Sequence, residues 1–376
     1  MSETLHAVLE EMNAEVGAGP EVYWPSRFWE RLNALHDAQL NDSGLRSFKR
    51  TVNQSYYNWV LGLRDPQTRS LVSWWLTHPT PSVVGARIVD WQGFESQSRR
   101  NPLESRPRRW LYQMAVATLW ERARAIDRLH LLDRLEEPSL GSPVAVHHRG
   151  RNISQDLGNS VLELYSISEA LGTDRPGGKG VVELGAGYGR LAWLYLMAFP
   201  GIRYVVVDIP PALALSQWYL TTLLPDRKFF PFRRFASYAD VSTEFDMAEV
   251  AFLTPNQLDL IPPQDAALFV NVSSLHEMRP DQIQRYVALV DRHTSGVFYS
   301  KQWRTWTNPD DGLSLSQADY PILASWQTIY SRQHPVQTAF FEAAYRIGSH
   351  SLSHDSAPLL GSAASSEVAL IQRTKR

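Results

Sequence analysis

Val181-Val182-Glu183-Leu184-Gly185-Ala186-Gly187-Tyr188-Gly189-Arg190 changes character halfway along. The first four residues are a short run of buried-strand type, apolar but for Glu183. Glycine then holds three of the next five positions, where a backbone without Cβ can turn tightly and lie close to a ligand. From Arg190 to Phe199 the apolar residues recur at helical spacing. A strand that breaks through such a turn into a helix leaves helix N–H groups facing the turn, able to receive a carboxylate or phosphate. Alone the turn is weak evidence, because many strand-to-helix loops carry glycine for steric reasons.

The pattern continues downstream. Tyr204 to Val207 reads as a second strand, Ala212 to Leu224 as a helix, and Glu249 to Leu253 and Ala267 to Val270 as further strands. Asp281 to Arg292 reads as a helix and Val297 to Ser300 as another strand. Alternation of short apolar runs with helices predicts an α/β fold built on a mostly parallel, doubly wound sheet. Ala339 to Ile347 and Glu367 to Arg373 read as a closing strand pair. The Ser- and Gly-rich stretch between them, Gly348 to Ser366, reads as a loop.

The second strand ends in Asp208, the right distance beyond the glycines for a carboxylate that holds ribose hydroxyls. A dinucleotide site wants G-x-G-x-x-G. Here the third glycine comes one residue early and Arg190 takes its slot. Glu183, just before the turn, would repel a pyrophosphate but attract the ammonium or sulfonium of S-adenosylmethionine (SAM). The residues therefore favour SAM over NAD. Ligands in open α/β sheets sit beyond the carboxyl ends of the strands, and His276 and Glu277 follow the fourth strand in that zone. Either is a candidate base for an acceptor hydroxyl. Histidine has a suitable intrinsic pKa, while glutamate needs burial or a neighbour to raise its own. The competing reading is that Glu277 caps the helix starting near Pro280 and His276 merely packs.

Val181 to Arg190, followed by Asp208, resembles motif I of the class I SAM-dependent methyltransferases. A narrower resemblance runs from about Arg151 to Ile347. It is carried by Arg151-Asn152-Ile153-Ser154-Gln155-Asp156-Leu157, Phe252-Leu253-Thr254-Pro255-Asn256-Gln257-Leu258, Asn271-Val272-Ser273-Ser274-Leu275-His276-Glu277-Met278, Lys301-Gln302-Trp303 and Phe340-Phe341-Glu342. These segments are similar to the sugar O-methyltransferases of polyketide antibiotic pathways, the nanchangmycin type. The resemblance implies a Rossmann-like class I sheet, mostly parallel with a closing antiparallel strand, and SAM-dependent O-methylation of a sugar or glycoside in natural-product biosynthesis. It implies that Glu183, Gly185 and Gly187 hold the methionine end of SAM and Asp208 its ribose. Asn256 and Gln257 would border the adenine, and Asn271 and Ser273 would face the sulfonium. Gln155 and Asp156 would close over the cofactor or, equally, form a helix cap. Glu277 ranks ahead of His276 as base on this resemblance. Lys301, Trp303, Arg304 and Tyr320 are candidates for the acceptor pocket.

Residues 1 to about 150 read as a helical lid or acceptor-binding domain, and residues 151 to 376 as the SAM-binding domain. Ser105 is an N-cap with Pro107 in the first turn, opening an amphipathic helix that runs towards Leu135. Further helices are predicted over Ser26 to Leu40, Leu45 to Leu61 and Pro66 to Thr77. This half is rich in tryptophan (Trp24, Trp29, Trp59, Trp74, Trp75, Trp91, Trp110, Trp120). Most of these suit a packed core, with one or two left to line a ligand cleft.

The 376 residues carry a net charge of −2 and no cysteine. Disulfides, thiolate zinc sites and cysteine nucleophiles are excluded, and a cytoplasmic location is expected. The densest basic patch, Arg99, Arg100, Arg106, Arg108 and Arg109, is broken by prolines. It reads as a solvated helix entry, so no nucleic acid is expected as partner. Neither a signal peptide nor an apolar run near the roughly 18 residues of a membrane span is present, so no membrane partner is expected either. No metal is expected: Asp310 and Asp311 lie far from His276 and Glu277, and His147 and His148 read as a surface pair. The acceptor is expected to be a small molecule, with a homo-oligomer left open. Three alternatives stand beside the sugar: a phenolic or enolic hydroxyl as acceptor, a SAM-fold subunit without catalysis, and the NAD enzyme disfavoured above.

Overall fold

The computed structural model describes residues 3–52, 65–91 and 103–348. The chain opens with α1 (Glu3–Ala18), α2 (Arg27–Ser43), α3 (Pro66–Thr77), the short strand β1 (Arg87–Ile88), α4 (Arg106–Arg124) and α5 (Leu131–Arg134). Then come β2 (Val146–His148), β3 (Arg151–Ile153) and α6 (Gln155–Leu171). The main sheet begins with β4 (Val181–Leu184), followed by α7 (Arg190–Ala198), β5 (Tyr204–Val207), α8 (Ala212–Leu223), β6 (Phe229–Phe230) and α9 (Ser242–Met247). It continues through β7 (Val250–Leu253), α10 (Pro255–Leu260), β8 (Ala266–Val272), α11 (Pro280–His293) and β9 (Thr294–Trp303). A hairpin, β10 (Thr305–Thr307) and β11 (Ser314–Ser316), precedes the last strands, β12 (Gln327–Gln333) and β13 (Phe340–Arg346).

The main sheet has the order β12-β13-β9-β8-β4-β5-β7-β6. From β9 to β6 every pairing is parallel, and β13 runs antiparallel to both its neighbours. This is the Rossmann-like sheet with a closing antiparallel strand that the sequence predicts. Its central strands are buried on both faces, which is why they read as apolar runs, broken in β4 by Glu183. Successive residues still divide between faces: Val181 and Val206 pack on one layer, Val182, Leu184, Val205 and Val207 on the other. The chain leaves β4 towards β5 and returns to its other side as β8. The crevice therefore opens at the carboxyl end of β4, beside the glycine turn.

Some elements depart from the sequence reading. The helix from Ser105 ends at Arg124, and the chain re-enters a helix only at Leu131. The N-terminal half includes a three-stranded antiparallel sheet, β1-β2-β3, and the expected boundary near residue 150 falls at the turn between β2 and β3. The partner of β13 is β12 rather than Glu367 to Arg373. Both edges of β13 are taken, by β9 and β12. Glu367 to Arg373, Trp59, Arg99, Arg100 and most of the helix expected after Leu45 lie outside the described residues. His148 is no surface residue: it is buried, with Nε2 2.7 Å from a Glu121 oxygen.

Candidate active site at the carboxyl end of the sheet

A cleft of about 980 Å³, open solvent included, lies at the carboxyl ends of the strands. Its floor is the turn from Glu183 to Arg190 and the β5 terminus at Asp208 and Ile209. One wall is the segment after β8, including Ser273, Ser274, Glu277 and Met278. The opposite wall comes from far away in sequence: Tyr23, Trp24, Pro25, Ser26 and Trp29, the link between α1 and α2 and the first turn of α2.

That N-terminal strap is pinned at several points. Tyr23 donates from its hydroxyl to Asp259 at 2.6 Å, and Ser26 Oγ donates to the Glu277 carbonyl at 3.0 Å. The carbonyl of Trp24 accepts from Gln282 at 2.8 Å. Further along, Phe28 meets Trp306 edge-on at 5.3 Å, and Arg31 bridges to Asp310 in the β10–β11 hairpin at 3.0 Å.

Gly187 has φ +61, and a Cβ there would meet nothing within 4 Å. Gly185 has φ +73, and a Cβ would collide with Ser274 Oγ at 2.2 Å. Both positions therefore need glycine, one for conformation and one also for space. Asp208 accepts from Gly187 N at 2.7 Å and from Ile209 N at 2.8 Å. Burial pushes its carboxyl up to about 7, against the two N–H donors, and Glu277 adds to the rise. Glu183 accepts from the Tyr204 hydroxyl at 2.7 Å, and burial lifts it to about 8.

Beneath the turn lies a buried charge cluster that sequence reasoning missed. Arg190, the residue in the third-glycine slot, lines the cleft and forks onto Glu163 at 2.6 and 3.0 Å. Lys301 Nζ donates to Oε1 of the same carboxylate at 2.8 Å. Burial alone would raise Glu163, but the two cations outweigh it and hold it at about 2. Lys301 is thus turned away from any acceptor, contrary to expectation. An arginine just after the glycine turn was the available signal. Its partner on α6 was not visible.

The expected site residues divide into two groups. Glu183, Gly185, Gly187, Asp208, Ser273 and Glu277 line the cleft. The side chains of Asn256, Gln257, Asn271 and His276 are engaged elsewhere. Asn256 donates to Glu15 of α1 at 2.9 Å. Gln257 Oε1 accepts from Thr254 N at 3.1 Å and its Nε2 donates to the Arg233 carbonyl at 2.8 Å, so it serves the start of α10. Asn271 ties β8 to the Leu184 carbonyl. His276 is 1% exposed behind Glu277. The N-cap of α11 is Arg279, whose N–H donates to Gln282 Oε1 at 3.0 Å, so Glu277 is not the helix cap. Ser154 caps α6, while Asp156 accepts from the Tyr188 hydroxyl at 2.7 Å. Of the acceptor candidates, Trp303 packs on Phe340 and Arg304 is exposed. Tyr320 keeps a buried hydroxyl without a hydrogen-bond partner, within electrostatic reach of Glu277. Among the described residues no three His, Asp or Glu side chains are grouped to hold a metal ion, and no helix is long and apolar enough to cross a membrane.

No family model matches the chain, and no curated protein matches it in sequence. Among solved structures it is similar to the mitomycin 7-O-methyltransferase MmcR at 15% identity and TM-score 0.34, over 51% of this chain and 56% of that one. It is also similar to the 1,6-didemethyltoxoflavin-N1-methyltransferase of Burkholderia thailandensis, solved with S-adenosylhomocysteine, at 16% identity and TM-score 0.36, over 52% and 79%. A third likeness is to the glycopeptide N-methyltransferase MtfA complexed with sinefungin, at 14% identity and TM-score 0.34, over 50% and 86%. The chain thus spans little more than half the length of the mitomycin enzyme.

Proposed function

We propose that this chain is a SAM-dependent O-methyltransferase that methylates a sugar hydroxyl. The observation that carries the reading is the meeting, in one cleft, of the Gly187 turn, the Asp208 carboxyl and the Glu277 carboxyl. The cleft fits SAM. The open space over Gly187 suits a backbone-held methionine, and Asp208 suits ribose hydroxyls. Arg190, already oriented by Glu163, is the residue we assign to the carboxylate of SAM.

SAM supplies a methyl group on a positively charged sulfur, an electrophile that needs no metal to activate it. The chain's task is to align the acceptor oxygen and take its proton. An alcohol is a weak nucleophile, so a base is worth more to a sugar than to a phenol. Glu277 is the cleft-lining carboxyl on the β8 side, and it receives the hydroxyl proton as the new bond forms. The strap opposite offers Trp24, Pro25 and Trp29, uncharged and largely flat, which suits a neutral sugar ring.

The test has two parts. S-adenosylhomocysteine should raise the melting temperature while NAD does not, and Asp208→Ala should remove most of that shift. With methyl-labelled SAM and a panel of glycosides, the label should be recovered in an O-methyl sugar after hydrolysis. Label found in a phenol or amine instead would overturn the sugar assignment and leave the cofactor assignment standing.

A further inference from the structure

Behind Glu277 a chain of side-chain amides runs back to the glycine turn, and its hydrogen bonds can be assigned one after another from the backbone. It begins at the Leu184 carbonyl, which can only accept. Asn271 Nδ2 lies 2.8 Å from it, so the amide nitrogen of Asn271 points there. Asn271 Oδ1 then faces the other way and accepts from Leu275 N at 3.3 Å and from Gln302 Nε2 at 2.6 Å. With its nitrogen committed, Gln302 presents Oε1 to His276 Nδ1 at 3.2 Å. An amide oxygen accepts, so Nδ1 must carry the proton. A neutral imidazole has one N–H, and Nε2 is left with a lone pair. That nitrogen faces Glu277 Oε1 at 3.4 Å.

We infer that His276 is held as its Nδ1–H tautomer to act as a proton sink behind Glu277, with Gln302 and Asn271 as the positioning residues that set it. This rests on the reading of Glu277 as base. Without a proton, an imidazole lone pair and a carboxylate oxygen confront each other. A proton that Glu277 takes from the acceptor hydroxyl lies between two acceptors and is bound by both. The opposite tautomer would already place a proton between them and leave the couple less able to accept another. His276 touches neither cofactor nor acceptor, being 1% exposed, and is wedged edge-on against Trp306 at 5.1 Å. Among the described residues, Asp208 and Tyr320 also bear on Glu277. Neither is hydrogen-bonded to the imidazole.

The arrangement also links the base to the cofactor turn. Asn271 Nδ2 bonds Ser274 Oγ at 2.6 Å, and that oxygen is what a Cβ on Gly185 would strike. The carbonyl from which the assignment starts belongs to the residue just before Gly185.

The tautomer can be read without turnover. Nitrogen-15 shifts of histidine-labelled protein, with the His276 signal identified by its loss in His276→Asn, should show Nδ1 protonated and Nε2 bare in the protein with S-adenosylhomocysteine bound. A protonated Nε2 in the wild-type protein, whether Nδ1 is bare or also protonated, would overturn the inference. Two variants give a kinetic reading. Gln302→Leu removes the acceptor for Nδ1–H and should lower kcat at least tenfold with little change in affinity for S-adenosylhomocysteine. Gln302→Glu restores an acceptor at the same place and should recover most of the loss. In a related hydroxyl-activating site a wrong tautomer costs up to about 10⁴-fold, so an effect of this kind is large enough to read. Equal kcat in Gln302→Leu and wild type, or a Gln302→Glu variant no better than Gln302→Leu, would likewise refute it. If Gln302→Leu does not fold, the wild-type spectrum alone decides.

Discussion

Replacing Glu277 by glutamine changes one proton-accepting oxygen into an amide and leaves the shape of the side chain nearly intact. The structure fixes what else the change can disturb. The link from Glu277 to the N-terminal strap is through its carbonyl, which accepts from Ser26, so the strap should stay in place. The side chain is 16% exposed, and its polar neighbour is His276 Nε2. Other carboxyls in the cleft are poor substitutes, because Asp208 is bound to two backbone N–H groups and Glu183 to the Tyr204 hydroxyl. A positioned base contributes on the order of 10²–10⁴-fold, which corresponds to roughly 2.7–5.5 kcal/mol of transition-state stabilisation. With Asp208 and Glu183 so bound and His276 buried behind Glu277, kcat for Glu277→Gln should fall within that range. Affinity for S-adenosylhomocysteine should hold steady or rise slightly near neutral pH, since the Glu277 charge helps keep Asp208 protonated. The assay is steady-state methyl transfer to a glycoside, with calorimetric titration of S-adenosylhomocysteine on the same preparation. A kcat reduced by less than about tenfold, with cofactor affinity unchanged, would show that alignment alone drives the reaction and that Glu277 is not the base.

The Asp208 carboxyl, lifted by burial to about 7, makes cofactor binding pH-dependent. An ionised carboxylate accepts from two ribose hydroxyls, so S-adenosylhomocysteine should bind roughly tenfold more tightly at pH 8 than at pH 6, and Asp208→Asn should flatten the curve. The sign for folding is opposite: a carboxyl raised in the folded state favours the fold below its unfolded pKa, and that contribution is lost as pH rises from about 4 to about 7. The melting-temperature gain from S-adenosylhomocysteine should therefore be larger at pH 8, and an equal gain at both values would count against the assignment. Gly187→Ala forces a side chain into φ +61, at a cost of about 1–2 kcal/mol, and projects a methyl towards the cleft. Melting temperature and cofactor affinity should both drop, and a variant with unchanged affinity would remove the turn from the site. Arg190→Met takes one cation from buried Glu163 while Lys301 remains, and should destabilise the fold by about 3 kcal/mol. It should also weaken S-adenosylhomocysteine binding more than adenosine binding, because adenosine has no carboxylate; equal losses would take Arg190 out of the site.

The sheet was legible because its determinants are local. Tyr204 to Val207 and Val250 to Leu253 are apolar throughout and Val181 to Leu184 is apolar but for Glu183, as suits strands covered on both faces, and each is followed by a turn and a helical period. Gly185, Gly187 and Asp208 announced the site for the same reason: backbone conformation and the spacing of two strand ends are written in consecutive residues. Strand β12, Gln327 to Gln333, gave no such signal. It is an edge strand whose residues are mostly exposed, so its side chains are polar and its pairing depends wholly on β13.

What the tertiary structure alone decided is which side chains meet. Arg190 stood out in the motif, but its orientation depends on Glu163, and that of Glu163 on Lys301, three residues on three elements. The cleft wall from Tyr23 to Trp29 approaches Glu277 across some 250 residues of sequence. Asn256, Gln257 and Asn271 sit where the sequence put them along the chain, yet their amides turn into caps and ties, because each found a backbone or side-chain partner beside it. A backbone preference acts between neighbours in sequence and can be read there. A buried polar group must be satisfied by whatever the folded chain brings within about 3 Å, and only the packed structure names that partner.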